Sequence, residues 1–371
     1  MNHSEILRKL KSMFNPEAIA AMARFGIHET KAYGVSTPVL RRLAREIGLL
    51  FVFWACIITA TLFGVAPGLD RSTGRATRRM MAVTFDDLPV ATTTWTDTAA
   101  QTKITSNLVR TVVANKIPAI GFVIEKKLFQ DEKRDEGRVA LLQIWLDAGL
   151  ELGNHTYSHA DLHQTPLVDY EQDILRGSVV TSGLMQKKGM NLRYFRHPFL
   201  HTGRSLEIRL DLDAFLTSHG YRVAPVTIDN SDWIFARAYD RAVFEDDKGL
   251  TRRIVQAYIP YMERKFDYFE RQSVALFGAE IRQVLLLHAN RLNADHFEDL
   301  VRMMRKRGYG FITLDEALQD KAYRSVDTFT GRGGISWLHR WAISQGKNGP
   351  FFAGEPLTPE FVMKEAGFKA E

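Results

Sequence analysis

From residue 80 onward, short apolar runs rich in β-branched and aromatic residues alternate with longer stretches whose apolar residues recur at helical spacing. Strand candidates are MMAVTF (80–85), AIGFVI (119–124), RVAPVTI (222–228), QVLLLH (283–288) and YGFITL (309–314). Between them lie TSNLVRTVVANK (105–116), GRVALLQIWLDAG (137–149), SLEIRLDLDAFLTSHG (205–220) and NADHFEDLVRMMRKRG (293–308). Such alternation predicts parallel strands covered by helices, either a barrel or an open sheet. In both, chemistry gathers at the C-terminal ends of the strands.

The first strand candidate ends in VTFDDLP, residues 83–89, with Asp86 and Asp87 side by side. Taken alone, such a pair beside proline is ordinary turn chemistry. Four further stretches sit at predicted strand ends or loops: GNHTYSH with His155 and His159, FRHPFLHTG with Arg196, TIDNSDW with Asp229, Asp232 and Trp233, and VLLLHAN with His288. Each has a bland reading. Arg196 suits a surface cation, Asp232 a turn, Trp233 core packing and His288 a strand end. The i, i+4 histidines share a face if the backbone turns helically there, which is a moderate metal signal.

Taken in order, TFDD, H-T-x-x-H, R-x-P-F, D-x-S-D-W and L-L-L-H resemble the five motifs of the polysaccharide deacetylase family, the NodB homology domain of carbohydrate esterase family 4, over about residues 80–320. The resemblance implies a deformed (β/α) barrel and metal-dependent hydrolysis of an acetyl group from a sugar. Asp87, His155 and His159 would then hold one divalent metal ion, expected to be Zn2+. Asp86 would be the general base, oriented by Arg196. The backbone N–H of Phe199, after Pro198, would face the oxyanion. His288 would be the general acid, kept protonated by Asp232 or Asp229, and Trp233 with the leucine before His288 would wall the acetyl methyl. His197, His201 and Asn154 are expected to be positional, His163 is a weak further ligand, and Asp295 and His296 read as helix-start residues.

Upstream, Ile47 to Ala66 is a run of twenty residues without a charge, long enough to span a bilayer as a helix. It predicts a transmembrane or signal-anchor helix and a membrane-anchored or exported protein. The stretch NPEAIAAMARFGIHETKAYGVSTPVLRRLAREIG resembles the opening helices of the DNA alkylation repair proteins, but only over residues 1–48. A helical solenoid needs several stacked repeats to bury a core. The expected organisation is therefore a helical fragment (1–46), the hydrophobic segment (47–66), a basic linker (67–79), the catalytic domain (80–320) and a C-terminal extension (321–371) containing TGRGGISWLHRWA.

The chain of 371 residues has a net charge of +6, yet residues 80–371 carry 37 basic and 38 acidic groups. The basic excess is confined to the N-terminal region, which argues against the alternative of a DNA-binding repair protein, because phosphate binding needs a sustained basic surface. No nucleic-acid partner is expected. An acetylated carbohydrate and, through residues 47–66, a membrane are. A glycosidase is excluded by spacing, since adjacent Asp86 and Asp87 cannot flank a glycosidic bond. The single cysteine, Cys56, can form no internal disulfide and says little about compartment.

Overall fold

The computed structural model describes residues 79–369. The helical fragment, the hydrophobic segment and all but the last residue of the basic linker lie outside them. The expected transmembrane element is corrected here: among the described residues no helix is long and apolar enough to cross a membrane. Residues 47–66 themselves lie outside the description, and nothing among the described residues supports a membrane partner.

Seven strands form one sheet: β1 (Arg79–Leu88), β2 (Ile120–Val123), β3 (Glu151–Asn154), β4 (Tyr194–Phe195), β5 (Arg222–Val223), β6 (Gln283–His288) and β7 (Tyr309–Phe311). The hydrogen-bonded order is β5-β4-β3-β2-β1-β6, with β7 also on β1. Every pairing in it is parallel. β1 is buried over most of its length, as a parallel strand covered on both faces should be. The sheet also curls on itself. Ala224 N donates to Phe195 O (2.8 Å) beside one edge, while Thr227 N donates to Val284 O (3.0 Å) and Leu286 N to Ile228 O (3.2 Å) at the other. Residues 222–228 thus link the two edges, and the result is a partly closed parallel barrel with helices outside.

The alternation places most elements. The helices α1 (Thr98–Ala114), α2 (Glu136–Asp147), α3 (Leu167–Arg176), α4 (Val179–Gln186), α5 (Leu206–Ser218), α6 (Asp232–Phe244), α7 (Lys248–Phe277), α8 (Arg291–Lys306), α9 (Leu314–Leu318), α10 (Trp337–Ser344) and α11 (Glu360–Ala366) follow or separate the strands. Side-chain caps start several: Asp97 accepts from Ala100 N, Asp135 from Arg138 N and Ser205 from Ile208 N.

Three departures have local causes. RVAPVTI is not one strand, because Pro225 has no N–H to continue the ladder, so β5 stops at Val223 and the chain crosses to β6. β3, with the sequence ELGN, lacks a β-branched run and escapes pattern reading. α7 runs thirty residues through Pro260, a residue that argues against a helix from sequence alone.

The main core lies between β1 and the helices. Phe85 meets Trp145 of α2 (5.6 Å between ring centroids) and Phe297 of α8 (5.3 Å), both edge-on. Trp145 has no exposed surface. Trp145→Ala should cost about 3–5 kcal/mol, the usual result of emptying such a site. Denaturant unfolding reads this directly, and a loss under about 1 kcal/mol would mean that α2 does not seal β1 as described.

Candidate active site

The C-terminal end of β1 carries the two carboxylates, and the backbone sends them different ways. Asp86 stays in the strand, opposite His288 in the parallel register with β6, and is 3% exposed. Asp87 has a left-handed backbone (φ 70°), which Asp tolerates better than most residues. It therefore leaves the strand's alternation.

His155 follows β3 directly. Its Nδ1 donates to Arg196 O (2.8 Å), which fixes the ring and leaves Nε2 facing Asp87 Oδ1 (3.6 Å) and Asp86 Oδ2 (3.8 Å). His159 places its Nε2 3.5 Å from the same Asp87 Oδ1. The helical turn expected to bring the two histidines together is absent. Thr156 (φ 64°) and His159 (φ 61°) fold the loop instead, and the rings lie 4.9 Å apart. Gly177, at the end of α3, lies so close that a Cβ there would overlap the Thr156 carbonyl carbon.

The ligand atoms of Asp87, His155 and His159 lie within 4.8 Å of one another. Asp87 Oδ1 is buried and makes no hydrogen bond. One carboxylate and two imidazoles converging on an unsatisfied oxygen fit a divalent cation. Burial by itself would raise Asp87, but Lys127 and the surrounding imidazoles hold it well below the usual carboxylate range. Burial also pushes His155 and His159 down, so both favour the neutral form that a metal ligand requires.

Arg196, fully buried, donates from Nη1 to Asp86 Oδ2 (3.3 Å) and from Nη2 to Thr84 Oγ1 (3.0 Å), with its guanidinium over the Phe122 ring. Burial raises Asp86 to about 6 although Arg196 opposes the shift. On the neighbouring strand, His288 Nδ1 is 2.6 Å from Asp232 Oδ1. Asp232 Oδ2 accepts from the His288 backbone N–H (2.8 Å) and from Asn293 Nδ2 (2.7 Å). Burial disfavours the imidazolium, but Asp232, its hydrogen bond and the two β1 carboxylates outweigh this and push His288 up to about 9.

Of the two candidates beside His288, Asp232 makes the contact. Asp229 lines the cavity and is raised to about 6 by burial. Phe199 occupies a turn with left-handed φ (56°), half exposed, its ring 4.5 Å from that of His159. Pro198 is buried beneath it, and Trp233 lines the cavity mouth, 43% exposed. One expectation fails. The leucine before His288, Leu287, points into the core, whereas Leu286 lines the cavity, because side chains alternate along β6. His201 is tied to Asp161 (2.6 Å) and stacked on His163 (3.9 Å), apart from the Asp87 cluster. Asn154 holds Ile174 O and Tyr221 OH, as a positional residue would.

Sequence reading missed Lys127, whose Nζ donates to Asp87 O (2.9 Å) and lies 3.5 Å from Asp87 Oδ2. It also missed Asn290 and Asn293. The motif HANRLN held a readable signal for these, since Asn290 caps α8.

Against this geometry, comparison with known proteins bears out the resemblance carried by the motifs. Residues 73–222 match the polysaccharide deacetylase family, and residues 6–49 match the DNA alkylation repair enzyme family. None of the curated proteins matches the chain. Solved structures similar to it include a CE4 family pseudoenzyme from Bacillus anthracis (13% identity, 66% of each chain covered, TM-score 0.43). Others are a family 4 carbohydrate esterase from Streptomyces lividans (19%, 64% of this chain and 95% of that one, TM-score 0.40) and a peptidoglycan deacetylase from Bacillus subtilis (21%, 67% and 94%, TM-score 0.40).

Because the His155–His159 loop rests against Gly177, Gly177→Ala is expected to weaken divalent-ion binding by about tenfold or more, the scale seen when support of metal ligands is lost. Calorimetric titration with the ion measures it. Unchanged affinity would show that the loop position does not depend on that close approach.

Proposed function

We propose that the chain hydrolyses an acetyl group from an acetylated carbohydrate at the Asp86–His288 centre, with a divalent ion, Zn2+ on the chemistry of its donors, held by Asp87, His155 and His159. The observation carrying this reading is that a raised carboxylate and a raised imidazole face one cavity from adjacent strands, beside an acid-plus-two-imidazole cluster. When bound, the ion supplies Lewis-acid polarisation of the carbonyl and acidifies water.

The chain's own groups perform the proton work. Asp86, held by Arg196, accepts a proton from the attacking water, whose oxygen bonds to the acetyl carbon. The Phe199 backbone N–H faces the oxygen that gains charge. As the carbon–nitrogen bond breaks, His288 Nε2 gives its proton to the leaving amine, and the products are acetate and a free amino group. For an O-acetyl substrate the leaving group is an alcohol oxygen instead. Asp232 fixes the tautomer and keeps His288 charged. Trp233 and Leu286 offer apolar surface to the methyl group.

Asp86→Asn should lower kcat by about 10²–10⁴-fold, the usual contribution of a general base, with divalent-ion binding retained. Acetate release from N-acetylated oligosaccharides is the assay, and turnover persisting in that variant removes the base assignment. Chelation should likewise abolish activity, with recovery on re-addition of Zn2+.

The pH profile follows from the same groups. Asp86 must be ionised, so activity falls as pH drops through about 6. His288 must be protonated, so activity falls as pH rises through about 9. Asp232→Asn removes the main cause of the raised imidazole, and the basic limb should move to lower pH. A basic limb that stays in place in that variant would exclude His288 as the acid.

A further inference from the structure

The cavity above Asp86 and His288, about 680 Å³, extends beyond these groups to a second wall made by α7 and residues 334–357 of the C-terminal extension. The GGISWLHR stretch is fixed there by specific bonds. Ser336 Oγ donates to Thr227 O (2.8 Å), Trp337 N to Val226 O (2.7 Å) and Arg340 Nη2 to Thr202 Oγ1 (2.6 Å). Gly334 lies against the Phe199 carbonyl oxygen, where a Cβ would overlap it. The extension is therefore built into the site's rim.

At this wall Lys265, from α7, is 5% exposed. Among the described residues its ammonium makes one hydrogen bond, to Glu355 Oε1 (2.7 Å). An ammonium has three N–H donors, and buried donors left without a partner are costly. Its Nζ also lies 5.9 Å from the centroids of the Tyr261 and Phe269 rings, and Lys265 lines the cavity together with Asp229 and Glu355. A ligand there must offer acceptors to Lys265 while meeting two carboxylates. An anionic group would be repelled by them, whereas a hydroxyl both accepts and donates.

We propose that Lys265, Glu355 and Asp229 form a recognition subsite for the hydroxyls of a neutral sugar ring next to the acetylated one, so that the enzyme acts on short, uncharged acetylated oligosaccharides. The proposal rests on the deacetylase reading above. The cavity volume suits it, lying within the roughly 300–1,000 Å³ typical of discrete ligand sites. The carboxylates of Asp229 and Glu355 disfavour a uronate or phosphorylated ring at this wall.

The test uses the full chain, tri-N-acetylchitotriose, and a neutral and a uronate-bearing N-acetylated disaccharide. Lys265 is buried while the Glu355 side chain is 33% exposed, so the main variant, Lys265→Met with Glu355→Leu, removes both charges together and leaves no unpaired buried ammonium; Glu355→Gln is the second. Both should raise KM for the trisaccharide by about tenfold or more, the loss expected for hydrogen bonds to charged groups, with kcat changing less than KM. Calorimetry in the Asp86→Asn background should show the same loss in Kd without turnover. The wild type should prefer the neutral disaccharide by about tenfold. Acetate release with unmoved KM in both variants, or equal use of the uronate sugar, overturns the subsite and leaves the deacetylase reading intact. Sugar binding that depends on the pair, without acetate release by the wild type, supports the subsite and removes the deacetylase reading. No binding of any of these sugars overturns the subsite.

Discussion

The site depends on one backbone event, the change of conformation between Asp86 and Asp87 at the end of β1. Two carboxylates in adjacent strand positions would point to opposite faces and could not share a site. The left-handed φ of Asp87 breaks that alternation, so Asp86 remains beside His288 in the sheet register while Asp87 swings toward His155 and His159. The parallel sheet supplies the rest, because it delivers the ends of β1, β3, β4 and β6 to the same rim.

Once separated, the carboxylates acquire different roles from their surroundings. Burial of Asp86 outweighs the opposing charges of Arg196 and His288, so it is raised into the range where a carboxylate can take and release protons. Asp87 meets Lys127 and two imidazoles and stays charged. His288 shows the opposite balance, since its contact with the deeply buried Asp232 outweighs desolvation. Pairs of titratable groups pushed apart in this way mark acid and base assignments better than any one residue type. Asp232 can play its part because Asn290 and Asn293 donate to its second oxygen, which satisfies that buried acceptor without exposing it.

Much of this was legible in the sequence, and for identifiable reasons. The strands β1, β2, β6 and β7 are apolar runs, and the ends of β1 and β6 carry Asp86, Asp87 and His288, whereas Arg196 follows the two-residue β4, which no apolar run marks, and is reached through the resemblance of the motifs in order. The mode of convergence of His155 and His159 was not legible. Spacing i, i+4 suggests a helix, whereas positive φ at Thr156 and His159 builds a loop that only Gly177 can accommodate. The choice between Asp229 and Asp232 was equally open, since only two residues separate them and only the start of α6 turns Asp232 toward His288. Lys127 left no trace, because a lysine after a strand has no pattern.

The C-terminal extension is where sequence reading had least to offer and the fold most. TGRGGISWLHRWA carries a helix signal and two tryptophans, which suggest packing, and Trp337, Leu338 and Trp341 are indeed buried. What the pattern could not convey is that the preceding glycines let the backbone press against Phe199, the residue whose N–H faces the proposed oxyanion. That contact makes the extension a support for the catalytic turn as well as a wall of the cavity. The same extension places Gly334 against Phe199 and Glu355 against Lys265. Binding and catalytic residues commonly sit on loops that a rigid scaffold positions. Here the glycine contact at Phe199 and the ion pair at Lys265 both come from residues 334–355, so the proposed oxyanion turn and the proposed subsite are supported by the same extension.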